Sequence, residues 1–335
     1  MGANASLVLL LVLLSSGVAL GGEQQVPSLR ETYAPYFEIG AAVSPGVLYP
    51  YDELLQTHFS SLTLENAMKF VEVSRSPGSY RFHSADRVVE YVREHDMLMR
   101  GHTLVWHSQV PAYVFLDEDN QPVDRDTLLE RMEEHIGIML ERYGDAVYAW
   151  DVVNEAISDE AGEYLRTNSR WYEIIGEDYI AHAFRMAHAA DPDAKLFYND
   201  YNAVQPAKRD KIIRLIKELQ ADGVPIHGIG IQGHWSLYDP PVSMIRQALE
   251  LYSELGLEIH ITELDMSMYA WNSTAPSVWE PTEDMLSRQA RRYDEIFSLF
   301  REFSDVITNV TFWGVADDHT WLDDFPVRAQ ILTSL

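Results

Sequence analysis

Glu155, in the run WDVVNEA, and Glu263, in EIHITELDM, each lie just beyond an apolar, strand-like stretch. Two carboxylates presented from separate strand ends are the minimal machinery for cleaving a glycosidic bond. One must hold a proton near neutral pH while the other stays ionised, so their surroundings must differ.

The elements that would carry such a pair alternate along the chain. Strands are predicted at Phe37–Val43, Ser61–Glu65, Leu98–Trp106, Val147–Val153, Lys195–Asn199, Ile226–Gln232, Glu258–Glu263 and Val310–Val315. Between them, apolar residues at three- and four-residue spacing predict helices at Tyr51–Thr57, Ala85–His95, Thr127–Tyr143, Ile174–Ala190, Ala207–Ala221, Val242–Leu255 and Asp284–Phe303. Eight strands alternating with helices imply an α/β fold, a single (β/α)8 barrel. A doubly wound open sheet is the alternative, disfavoured by the lack of a Gly-rich phosphate turn. After the eighth strand little chain remains, so the final helix is expected to be missing or truncated, with Gln330–Leu335 as its stub.

Composition narrows the partners. A net charge of −27, from 25 basic and 52 acidic residues, repels nucleic acid and anionic lipid but is indifferent to a neutral polysaccharide. There is no cysteine, which removes thiolate metal sites and disulfides from consideration. Residues 1–22 read as a secretory signal: an aliphatic run from Leu7 to Leu14, then small residues, with cleavage expected near Ala19 to Gly22. A catalytic domain then spans 23–335, extracellular or periplasmic, with no membrane contact once the signal is removed. Asn272-Ser273-Thr274 and Asn309-Val310-Thr311 match glycosylation sequons, the second overlapping a predicted strand and so the poorer candidate.

In barrels of this class the active site forms at the C-terminal ends of the strands. Polar and aromatic residues gather there in this sequence: Glu65, Asn66 and Lys69; His102, Trp106, His107 and Gln109; Asn154 and Glu155; Asn199, Asp200, Tyr201 and Asn202; Gln232 and His234; Glu263 and Asp265; Trp313 and Asp317.

The motifs GHTLVWHSQVP, WDVVNEA, YNDYN, GIGIQGHW and ITELDM, in that order from about Ile39 to Leu322, resemble the family 10 glycoside hydrolases, chiefly endo-β-1,4-xylanases. The resemblance implies a retaining mechanism with Glu155 as acid/base and Glu263 as nucleophile, their carboxyls roughly 5–5.5 Å apart. It further implies that Asn154 bonds the sugar 2-hydroxyl and that His234 and Asp265 orient the nucleophile. Glu65, Asn66, Lys69, His102 and Gln109 match sugar contacts on the glycone side, with Gln232 beside them. Trp106, Trp313 and Trp321 match aromatic walls, and Tyr201 and Asn202 match leaving-group contacts more loosely. Phe70 stands where the family usually has Trp, Ala316 replaces Thr or Ser, and Asp318 and His319 fill a stretch that is often basic or aromatic. No cofactor or metal is implied, the partners are xylan and xylo-oligosaccharides, and oligomeric state is not legible.

Three rival readings remain at this stage. A metal-dependent barrel hydrolase would use His102 and His107, although no His-x-His strand motif is present. A carbohydrate-binding barrel without turnover would not need both carboxylates. A β-1,4-glucanase would use the same residues, but Trp321 is expected to crowd the hydroxymethyl group that glucose has and xylose lacks.

Overall fold

The computed structural model describes residues 26–270 and 281–323. Eight parallel strands close into a barrel: β1 (Glu38–Val43), β2 (Ser61–Leu64), β3 (Leu98–Trp106), β4 (Val147–Asn154), β5 (Lys195–Asp200), β6 (Gly228–Ile231), β7 (Glu258–Ser267) and β8 (Ile307–Phe312). Each pairs with its sequence neighbour, and β8 pairs with β1, Glu38 opposite Asn309, to complete the circle. The strand interiors are buried throughout, as expected for strands sandwiched between a packed interior and a ring of helices.

Among the described residues, the main helix after each of the first seven strands is, in order, α1 (Asp52–His58), α2 (His83–Glu94), α3 (Arg125–Tyr143), α4 (Tyr179–Ala190), α5 (Pro206–Ala221), α6 (Val242–Ser253) and α7 (Glu283–Glu302). Their starts follow local chemistry. The Asp124 side chain accepts from Thr127 N–H ahead of α3, Thr282 accepts from Met285 N–H ahead of α7, and Pro206 opens α5 where its missing N–H costs nothing. On α2 the buried set Ala85, Val88, Val89 and Val92 forms the expected stripe at helical spacing.

Differences from the predicted elements have local causes. The single helix predicted over Ile174–Ala190 is two, Arg170–Ile175 and α4, because Gly176 at φ +101° breaks the ladder. The last strand lies three residues earlier than predicted, ending before Gly314 at φ +141°. β7 runs four residues past Glu263 because a short strand, His234–Ser236, pairs with its end, His234 opposite Asp265. A small antiparallel hairpin, Ser74–Ser76 with Ser79–Tyr80, turns on Gly78 and has no counterpart in the predicted pattern.

The signal segment 1–22, the sequon at Asn272 and the stub Gln330–Leu335 lie outside the described residues. Among the described residues, β8 is followed by one 3-10 turn, Trp321–Asp323. Beside it a cavity of about 440 Å³ separates α1 from α7, lined by Leu54, Phe59, Tyr293, Phe297 and Phe312. Asn309 is fully buried in β8, so the second sequon is closed to a glycan in the folded chain.

The barrel interior is polar along one column. Arg100 and Asp151, both fully buried, form an ion pair at 2.7 Å. Arg100 Nε–H also donates to His260 Nδ1 at 2.9 Å. Burial pushes His260 down to about 4, so it is neutral and accepts that bond. Burial would raise Asp151, but Arg100 and His102 outweigh it and hold the carboxyl below the usual range. His102 Nδ1 lies 2.9 Å from Asp151 Oδ2, which carries the column up to the strand ends.

Candidate active site

Glu155 and Glu263 meet at the C-terminal rim from β4 and β7. Two amide side chains link them. Asn199, the penultimate residue of β5, donates from Nδ2 to Glu263 Oε1 at 2.8 Å and to Asn154 Oδ1 at 2.9 Å. Asn154 Nδ2 in turn donates to Glu155 Oε1 at 3.2 Å. Thr262 Oγ1 donates to Asn199 Oδ1 at 2.6 Å, which fixes the amide orientation. Gly230 on β6 leaves the space: a Cβ there would lie 2.2 Å from Asn199 Oδ1.

The two carboxylates have different surroundings. Glu263 is buried, 4 % exposed, and His234 Nε2 faces its Oε2 at 3.1 Å while His234 Nδ1 faces Asp265 Oδ2 at 2.7 Å. Burial alone would lower the His234 imidazole, but the two carboxylates raise it to about 10, so both ring nitrogens carry protons at neutral pH. Burial likewise pushes Glu263 toward its neutral form. The His234 hydrogen bond and the fields of His102 and His234 outweigh burial, and the carboxyl titrates below its ordinary range. Trp321 Nε1–H donates to the same Asp265 oxygen at 2.7 Å, and its ring packs edge-on against His234.

Glu155 is more open, its side chain 12 % exposed. Gln232 Nε2 donates to Oε1 at 2.9 Å and Trp106 Nε1 to Oε2 at 2.8 Å. His107 Nδ1 stands 4.0 Å from Oε2. Burial, with Arg166 and Lys208 adding, pushes His107 down to about 4, so it stands there neutral.

The other predicted residues fall into four groups. Lys69, buried, donates to Asn66 Oδ1 at 2.9 Å and sits 5.0 Å from the centre of the Trp106 ring. Burial lowers the pKa of its ammonium, and the negative fields of Glu263, Glu65 and Glu155 oppose the fall. Glu65, Trp313 and Trp321 line a cleft of about 260 Å³ together with Asp318 and His319, and Trp313 also meets His102 edge-on at 5.4 Å. Gln109 and Asn202 are exposed at the rim, both with positive φ. Tyr201 is drawn away from the carboxylates: its hydroxyl bonds Asp159 and accepts from Arg166, and the Lys208 ammonium covers one face of its ring.

Asn199 is the residue the motif reading passes over. It sits inside YNDYN, but nothing in the spacing marks an amide as the link between two carboxylates. Trp106 was expected as a wall; its indole N–H holds Glu155 as well.

A parallel barrel that devotes two strand ends to linked but unequal carboxylates is a glycoside hydrolase by class. Comparison with known proteins places it more closely. The chain belongs to glycosyl hydrolase family 10, whose sequence profile matches residues 28–333. It is 52% identical over 306 residues to an endo-1,4-beta-xylanase of Geobacillus stearothermophilus, covering 91% of this chain and 92% of that one. It is 47% identical to endo-1,4-beta-xylanase B of Paenibacillus barcinonensis over the same shares. The crystal structure of xylanase XynB from Paenibacillus barcinonensis, complexed with a conduramine derivative, superposes with a TM-score of 0.89 at 47% identity, covering 91% of this chain and 92% of that chain.

Proposed function

We propose that the protein is a retaining endo-1,4-β-xylanase, with Glu263 as nucleophile and Glu155 as acid/base. The observation that carries the assignment of roles is the contrast between the two glutamates. Glu263 is buried against a protonated His234 that keeps it anionic, while Glu155 is open to the cleft and held by neutral donors from Trp106, Gln232 and Asn154.

In the first step a Glu263 oxygen attacks the anomeric carbon as Glu155 gives its proton to the glycosidic oxygen. The bond between carbon and leaving oxygen breaks, and the leaving sugar departs as an alcohol. In the second step Glu155, now anionic, takes a proton from water. The resulting oxygen nucleophile attacks the same carbon and frees Glu263, so the net reaction consumes one water. Asn199 and His234 each occupy one oxygen of Glu263, which limits rotation of the carboxylate between the steps. Asn154 lies between the two glutamates, where a sugar 2-hydroxyl would meet its amide. Lys69, Asn66, Glu65 and His102 supply polar contacts for the glycone, and Trp313 and Trp321 the aromatic walls. Gln109, Tyr201 and Asn202 belong to the outer rim.

The substrate reading rests on the relatives' activities and on Trp321, which narrows the pocket by packing against His234. Hydrolysis of xylan followed by NMR tests it: the first-formed reducing end is expected in the β configuration, and carboxymethyl-cellulose is expected to be a poor substrate. Full activity in both Glu155→Gln and Glu263→Gln would sink the assignment. The aliphatic run Leu7–Leu14 supports secretion, checked by N-terminal sequencing of protein recovered from the medium.

A further inference from the structure

Glu155 sits at φ +59°, a left-handed conformation that costs a non-glycine residue on the order of 1–3 kcal/mol. The turn carrying the carboxylate must therefore be held from outside. Its own N–H donates to Asn199 O at 2.9 Å. The next two N–H groups, of Ala156 and Ile157, both donate to one atom: the Tyr198 hydroxyl, at 3.0 and 3.1 Å. An oxygen accepting two bonds must send its own proton elsewhere, and Tyr198 donates it to Asp200 Oδ2. Asp200, fully buried, is paired through Oδ1 with the Lys208 ammonium at 2.8 Å, itself buried.

We infer that Tyr198 and Asp200 are positioning residues for the acid/base step: the Asp200–Lys208 pair orients the Tyr198 hydroxyl, which clamps the backbone just after Glu155 and aims its carboxyl at the leaving oxygen. Neither residue reaches the bound sugar in this reading. Both lie in YNDYN, whose first and third positions have no part in the reaction as described above. The two sites are also coupled through space. Burial pushes Asp200 up to about 6, Lys208 opposes the rise, and the charge of Glu155 adds to it. Lys208 makes a second ion pair with Asp159 at 3.0 Å, and Arg166, bonded to Asp159, donates from Nε to Glu155 O at 3.1 Å. The far side of the turn is thereby tied to the same cluster.

The inference rests on Glu155 being the acid/base, and the experiment separates the two. Tyr198→Phe keeps the ring and removes the clamp. Its kcat/KM is measured on phenyl β-xylobioside, which needs a proton on its leaving oxygen, and on 2,4-dinitrophenyl β-xylobioside, which does not, with Glu155→Ala run in parallel. The expected result is a loss of about 10–100-fold on the phenyl glycoside, from a displaced general acid, with little change on the dinitrophenyl one. A residue that only stabilised the fold would lower both together. Equal losses, or none, in Tyr198→Phe while Glu155→Ala remains selective would overturn the inference alone. An unselective Glu155→Ala would overturn the reading of Glu155 and this inference with it. If Tyr198→Phe does not fold, Asp200→Asn, close in shape, carries the same comparison; if neither folds, the network serves folding only and the inference is wrong.

Discussion

Glu263 and His234 bind their proton inventory in opposite directions, and the signs can be tested. The Glu263 carboxyl is depressed below its ordinary 4.5, so its contribution to stability is present above that value and is lost as pH falls through the lower folded one. His234 is raised from 6.5 to about 10, so its contribution is complete below 6.5 and is lost as pH rises toward 10. The melting temperature of the wild type relative to His234→Gln should therefore be highest near pH 6 and narrow steadily up to pH 10. A gap that stays constant across that range would mean that the ring is not protonated in the folded state. For the chemistry itself, Glu155→Gln is expected to lose about 10²–10⁴-fold in kcat/KM on xylan, the usual contribution of a general acid. At this scale the two glutamates were legible because their motifs recur in order along the chain. Asn199 was not, since an asparagine at a strand end has no distinctive spacing and its role depends on Thr262 and Gly230 from neighbouring strands.

Secondary elements were legible where burial repeats and obscure where one residue changes the backbone. β3 matches its predicted limits, and burial runs without a break from Met99 to Val105, with the polar residues Arg100, His102 and Thr103 included. Gly176 and Gly314 cut elements short through positive φ, a property that apolar periodicity does not report. The pairing of His234–Ser236 with the end of β7 joins residues about thirty positions apart, a contact that local periodicity does not report. Two predictions belong here. Gly230→Ala places a methyl group where the Asn199 side chain lies. The strands cannot part, so Asn199 must turn away from Glu263; turnover on xylan should fall at least tenfold, a loss expected from misplacing a catalytic group by about 1 Å. Measured kcat equal to wild type would show that Asn199 does not hold the nucleophile. In the interior column, Asp151→Ala leaves Arg100 buried without its anion, and the expected cost is about 3–5 kcal/mol in denaturant unfolding. A cost under about 1 kcal/mol, the range of an exposed pair, would mean that water or His260 replaces the lost partner.

The whole molecule carries a net charge of −27, and this field has a consequence for substrates that no single residue sets. Xylan chains without charged branches feel it little, so their approach to the cleft should not depend on salt. Chains bearing uronic acid branches are anions and are repelled over a Debye length, about 30 Å at 0.01 M salt and about 8 Å at 0.15 M. Repulsion acts on encounter and on KM more than on the bond-breaking step. The ratio of kcat/KM for a uronate-bearing xylo-oligosaccharide to that for its neutral counterpart should therefore rise about threefold or more between those salt concentrations, through KM, with kcat nearly flat. The local site works in the opposite sense at its cations: Lys69, which feels the negative fields of Glu263, Glu65 and Glu155, and the protonated His234. A ratio that does not move with salt would mean that branch charges dock too far from the acidic surface to feel it, or that cations within the cleft cancel the field where the branch lies.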